Sequence, residues 1–170
     1  MMSPEFHDVP GIPPGIPLVE IAAWVRDRAR ERARVIVVDP VTAAVALDRA
    51  WVADTQFVND VKAIVRAYDT SLLLVTHPRK GSRAVGLDDL AGGAVYQRLA
   101  QCILWVERHP KPKATTIVSD VGRFQAEITQ TLHVCKARNG RGHGMSLGFI
   151  IEWPTLEFAE QGIVAKESKK

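Results

Sequence analysis

Val35-Ile36-Val37-Val38-Asp39-Pro40 decides how this chain reads. Four β-branched residues in a row predict a short strand buried on both faces, the form strands take in a parallel sheet. Asp39 ends the run. In an open α/β sheet, ligands collect at the carboxyl ends of the strands. An acid there can hold Mg²⁺ directly or through water.

Upstream, Leu18 to about Arg32 predicts a helix, with Leu18, Ile21, Ala22, Val25 and Ala29 as its apolar stripe. Pro17 suits its first turn. Downstream, Asp54 or Thr55 can cap a second helix. Phe57, Val58, Val61, Ile64, Val65 and Tyr68 follow at helical spacing. Leu72-Leu73-Leu74-Val75-Thr76 is a second apolar strand, and Cys102 to Glu107 a third, after a helical stretch from Leu87 to about Gln101. Strand and helix alternate, which implies a parallel sheet with right-handed crossovers. After Pro110 the pattern changes. Thr115 to Ser119, Thr131 to Arg138, Ser146 to Ile151 and Thr155 to Ala159 read as strands joined by turns, with Asn139-Gly140 in a hairpin loop. The whole predicts an α/β fold: a mostly parallel sheet with flanking helices and an antiparallel C-terminal extension. Its boundaries are an irregular, Pro-rich lead-in over 1–17, one domain over 18–165, and a charged tail over 166–170.

Composition sets loose bounds. A chain of 170 residues, 46% hydrophobic and 24% charged, suits one globular domain with a core. The net charge of +3 permits a polyanionic partner without demanding one. Met1 to Pro17 lacks a basic segment followed by an apolar one, and no apolar run approaches membrane-spanning length, so the expectation is a cytoplasmic chain with no membrane partner. Cys102 and Cys135 read as reduced core thiols. His133 and Cys135, two apart, would share a strand face, but no further ligands at metal spacing accompany them.

Other residues carry possible chemistry beside Asp39. His77 ends the second strand, at the same edge as Asp39 if the two run parallel, where it can sense a phosphate. Arg79, Lys80 and Arg83 follow with Gly81, a basic loop suited to a phosphate backbone. Lys136 and Arg138 are two apart and would project together from a strand end, beyond Leu132 and Val134 on the same face. A planar, permanently charged guanidinium suits a γ-phosphate. Standing alone, each has an ordinary reading: a turn cap, a polar loop start, a solvated loop, surface charge at a hairpin. Gly140-Arg141-Gly142-His143-Gly144 precedes a strand, so no helix N-terminus can face an anion there. No G-x-x-x-x-G-K-[ST] phosphate loop occurs in these residues.

Taken in order, these motifs resemble the RecA-like hexameric helicase ATPases. Val35–Pro40, a helix, then Leu72-Leu73-Leu74-Val75-Thr76-His77-Pro78-Arg79-Lys80-Gly81 resembles the plasmid RepA-type members. Asp88-Asp89-Leu90-Ala91-Gly92-Gly93-Ala94 resembles the helix after their DNA-facing loop. Lys136-Ala137-Arg138-Asn139-Gly140 resembles the Lys-x-Arg-x-Gly strand of DnaB-type replicative helicases. The resemblance covers roughly residues 18–160. It implies ATP and Mg²⁺ as cofactors, Asp39 as the Walker B acid, and His77 as a sensor. Lys136 and Arg138 become a pair acting on a neighbouring subunit's nucleotide, and Arg79, Lys80 and Arg83 face single-stranded DNA. The family's phosphate loop and catalytic Glu come before the strand matched by Val35–Asp39 and are missing here. The chain therefore reads as the later part of such a domain: one product of a split gene, a truncated frame or a degenerate relative. It would form a homo-oligomer or join a phosphate-loop-bearing chain, with negligible ATPase activity alone. Two readings stand beside it: a non-catalytic nucleic-acid-binding or regulatory module that assembles with a complete ATPase, and a structural subunit using an exposed sheet edge.

Overall fold

The computed structural model describes residues 15–41, 50–77 and 94–166. The chain divides into two compact units. Among the described residues, the first runs to His77 and resumes over 94–98, and the second takes the rest.

In the first unit the elements are α1 (Leu18–Arg30), β1 (Val35–Val38), α2 (Ala50–Tyr68), β2 (Ser71–Leu74) and α3 (Ala94–Leu99), whose last residue falls in the second unit. Pro17, extended at φ −62 and ψ 146, precedes α1. Its fixed φ and missing N–H suit a helix start. Ile21, Ala22, Val25 and Ala29 form the buried stripe. The helix stops where Arg32 turns left-handed at φ 65, with Arg28 and Arg30 in the last turn complementing the helix dipole. α2 begins earlier than the capping signals implied. Asp54 and Thr55 lie inside it, and the Thr55 hydroxyl donates back to the Trp51 carbonyl at 2.7 Å. β1 and β2 pair in parallel, Val35 opposite Ser71 and Val38 opposite Leu74. Ile36 and Val38 are buried with Phe57, Val58, Val61 and Ile64 of α2. Each such side chain contributes roughly 1.5–3 kcal/mol by leaving water. The opposite sheet face is bare: Val35, Val37 and Leu73 are 63%, 48% and 52% exposed.

The second unit is a closed antiparallel barrel of β3 (Cys102–Ser119), β4 (Gly122–Ala137), β5 (Ser146–Glu152) and β6 (Glu157–Val164). β3 pairs with β4 along nearly its whole length, β4 with β5, β5 with β6, and β6 closes on Ile117 and Val118 of β3. Ile117 and Ile128 fill its core, with Gly148 and Gly162 opposed on the neighbouring strands.

The expected RecA-like, mostly parallel sheet is not what forms. Only β1 and β2 are parallel, and the segment from Cys102, expected as a third parallel strand, belongs to the barrel. Its nearest complementary strand is β4, reached by the short turn at Asp120-Val121 into Gly122, whose φ is +117. That closure costs little chain entropy, whereas a parallel partner requires a crossover. Pro110 and Pro112 do not end the strand. Pairing slips there, from Arg108 opposite Gln130 to Lys113 opposite Ile128, so neither proline's missing N–H is needed by the ladder. The last strand also starts later than expected, after a turn in which Leu156 has φ 60.

Candidate functional site

The register of β1 and β2 brings Asp39 and His77 to one edge. Both strands run the same way, and both residues follow their carboxyl ends. The pairing continues past the strands: Val75 N–H donates to the Val38 carbonyl, and Val41 N–H to the Val75 carbonyl, both at 2.9 Å. These two bonds pin the chain on either side of Asp39. Asp39 and His77 are exposed, and Val41 beneath the turn is buried. An exposed carboxylate and an exposed imidazole at one sheet edge can meet a hydrated divalent cation and a phosphate respectively. Among the described residues, no three of His, Cys, Asp and Glu gather as metal ligands, so any cation here would draw most of its oxygens from water or a phosphate.

Lys136 and Arg138 lie in the second unit. Lys136 pairs with Ile103, and the Arg138 N–H donates to the Gln101 carbonyl at 2.9 Å, just beyond the end of β4. The two remain on one strand face. Leu132 and Val134 do not share it. Pairing jumps from Val134 opposite Leu104 to Lys136 opposite Ile103, leaving Cys135 as an extra residue in the ladder. One extra residue inverts the inside–outside alternation, so Lys136 follows His133 and Ile103 while Leu132 and Val134 follow Val106 and Leu104. Arg138 is exposed, and Lys136 is half-buried. Arg79, Lys80 and Arg83 lie outside the described residues.

The barrel holds a polar line that reading along the chain did not single out. The His133 ring sits between Ser146 Oγ, 2.9 Å from Nδ1, and Glu107 Oε2, 3.0 Å from Nε2. Glu107, His133 and Ser146 come from three neighbouring strands. Nearby, His109 Nε2 hydrogen-bonds Thr131 Oγ1 at 2.8 Å, with Thr131 buried. Polar groups inside a small barrel need such partners, and these tie β3, β4 and β5 together. Period-two spacing from Glu107 to His109 and from Thr131 to His133 was the available signal, but the pairing register was not readable from it.

Other titratable groups are shaped by burial. Burial raises the Asp54 carboxyl above its usual range, against the lowering effect of the Tyr96 hydroxyl, which donates to it at 3.3 Å. Tyr96 is raised further, by burial first and then by the Asp54 charge. Burial pushes the Cys135 thiol up. Cys102, expected in the core, is exposed.

No protein-family model matches this chain, and no curated protein sequence matches it either. Among the described residues, no helix is long and apolar enough to cross a membrane.

Proposed function

We propose that this chain is an accessory part of a helicase-type ATPase, contributing to a nucleotide site whose phosphate loop lies outside these 170 residues. The observation that carries this reading is the shared edge of Asp39 and His77 at the carboxyl ends of two parallel strands. Asp39 orients Mg²⁺ directly or through water. His77 reads the terminal phosphate. Asp39 is the residue that would hold the cation, and a bound Mg²⁺ would supply charge neutralisation at the phosphates. Lys136 and Arg138 act on the nucleotide of a neighbouring subunit, and single-stranded DNA is the polymer partner, in the cytoplasm. The uncovered face of Val35, Val37 and Leu73 supports assembly with another chain, since parallel sheets are normally covered on both sides.

The test is chemical-shift perturbation of Asp39 and His77 signals on titration with ATP and Mg²⁺. Without the phosphate loop, binding should be weak, about millimolar, which corresponds to only about 4 kcal/mol. The shifts should require Mg²⁺ and should vanish in Asp39→Asn. Shifts at His77 that persist in that variant, or none at either residue of the wild type at millimolar nucleotide, defeat the reading.

A second reading is a nucleic-acid-binding module without catalytic work of its own. The β4–β5 hairpin favours it: Ile128 to Ile151 contains no Asp or Glu, yet includes Lys136, Arg138 and Arg141.

A further inference from the structure

The tip of that hairpin lies between Ala137 and Ser146, the end of β4 and the start of β5. Its sequence is Arg138-Asn139-Gly140-Arg141-Gly142-His143-Gly144-Met145. Arg138, Arg141 and His143 are exposed. The tip is built rather than frayed. Val134 N–H donates to the Met145 carbonyl, Gly144 N–H to the Val134 carbonyl, and Met145 N–H to the Gly142 carbonyl, each at 2.9 Å. Gly144 takes φ +75, a left-handed turn residue.

A third permanent cation joins from the chain beyond β6. Lys166, exposed just past β6, has its Nζ 3.6 Å from where a Cβ on Gly144 would lie. Ala165 N–H donates to the Thr116 carbonyl at 2.8 Å, which anchors the chain immediately before Lys166. Three permanent charges and one imidazole therefore meet at one end of the barrel, and the hairpin's own sequence from Ile128 to Ile151 contains no Asp or Glu.

We propose that this tip is a contact surface for the phosphate backbone of a nucleic-acid strand. It deepens the second reading above by naming the binding residues as Arg138, Arg141, His143 and Lys166, and it does not depend on the Asp39–His77 edge. Clustered cations of one sign, on small residues that let a backbone come close, recruit polyanions by releasing their counterions. A lipid surface fits less well. Residues 138–144 include no Leu, Ile, Val, Phe, Tyr or Trp to enter a bilayer interface. Sequence-selective recognition is not implied, because phosphate contacts position a strand without reading its bases.

The experiment is fluorescence anisotropy with labelled oligo-dT, an RNA of equal length and a DNA duplex. It is run in EDTA without nucleotide, so its outcome is independent of any ATP site. Three permanent cations acting on a single strand predict a slope of log affinity against log salt near about −2, or roughly a 20-fold loss between 50 and 200 mM. Arg141→Ala with Lys166→Ala should lower affinity and flatten the slope by about 1.4. Arg141→Glu should weaken binding further. Lys113→Ala with Arg123→Ala, exposed elsewhere on the barrel, should leave the slope unchanged. Equal response to the three nucleic acids supports backbone contact, and preference for one form names the strand type. The proposal is overturned by a wild-type slope in the tip variants with circular dichroism intact. It is equally overturned if the control pair matters as much, or if vesicles rich in phosphatidylserine bind the tip more tightly than oligo-dT at equal phosphate.

Discussion

Replacing Gly162 by Ala should damage this protein more than replacing Gly148, although the two face each other across β5 and β6. A Cβ at Gly148 would lie 2.9 Å from Ile128 Cγ2 and 3.0 Å from Ile117 Cδ1, both side-chain methyls that can shift. Overpacking of that kind costs about 1–3 kcal/mol. A Cβ at Gly162 would lie 2.9 Å from Ile117 Cγ2 and 2.9 Å from the Val118 carbonyl, which is backbone held by strand pairing. Gly162 also has φ +122, a conformation that costs other residues a further 1–3 kcal/mol or so. Gly162→Ala should therefore lose about 2–6 kcal/mol, a large share of a typical total of about 5–15. Urea unfolding by circular dichroism measures the loss, and hydrogen exchange of the β5 and β6 amides locates it. With a slope near 2 kcal/mol per molar, midpoints should fall by roughly 0.5–1.5 M for Gly148→Ala and 1–3 M for Gly162→Ala. Ile117→Val supplies a further check, because it removes Cδ1 and keeps Cγ2. It should recover part of the Gly148→Ala loss and little of the Gly162→Ala loss, beyond its own cost of about 0.5–1.5 kcal/mol. A Gly162→Ala protein as stable as Gly148→Ala, or equal rescue of both, would refute the packing argument.

Three further outcomes are expected. Thr129→Val should destabilise the barrel by about 1–3 kcal/mol, since Thr129 Oγ1 accepts the Ile151 N–H at 2.9 Å and valine leaves that part-buried donor unpaired; Thr129→Ser should be much milder by the same urea assay. Asp54 is raised by burial, so the folded state favours its protonated form. The stability linked to this is present below the unfolded carboxyl value and is lost as pH rises through the raised folded value. Asp54→Asn keeps an acceptor for Tyr96 and should be relatively more stable than wild type at neutral pH than at acid pH; a pH-independent difference would contradict this. Cys135, half-buried and with its thiol raised by burial, should react with a disulfide reagent more slowly than exposed Cys102, with Cys102→Ser removing the fast phase.

Much of the local structure follows from sequence alone. The spacing of Ile21, Ala22, Val25 and Ala29, and of Phe57, Val58, Val61 and Ile64, determined two amphipathic helices and the faces they bury. The β-branched run at Val35–Val38 determined a strand with Asp39 at its end, and the glycines after Arg138 determined a hairpin between β4 and β5. These are short-range matters of periodicity and turn chemistry. Strand partnership is long-range, and there the tertiary structure decided. Cys102-Ile103-Leu104-Trp105-Val106 is as apolar as β1, yet it pairs antiparallel with β4 because that partner is adjacent in the chain and Ile117 and Ile128 supply a core for the ribbon to close around. The antiparallel pairing of β3, β4 and β5 is what joins Glu107, His133 and Ser146. A single extra residue at Cys135 moved Lys136 away from the face of Val134, and no local pattern announces such a bulge. Lys166 reaches the hairpin for the same reason: a barrel brings the end of β6 beside residues more than a strand away in sequence, which spacing along the chain does not encode.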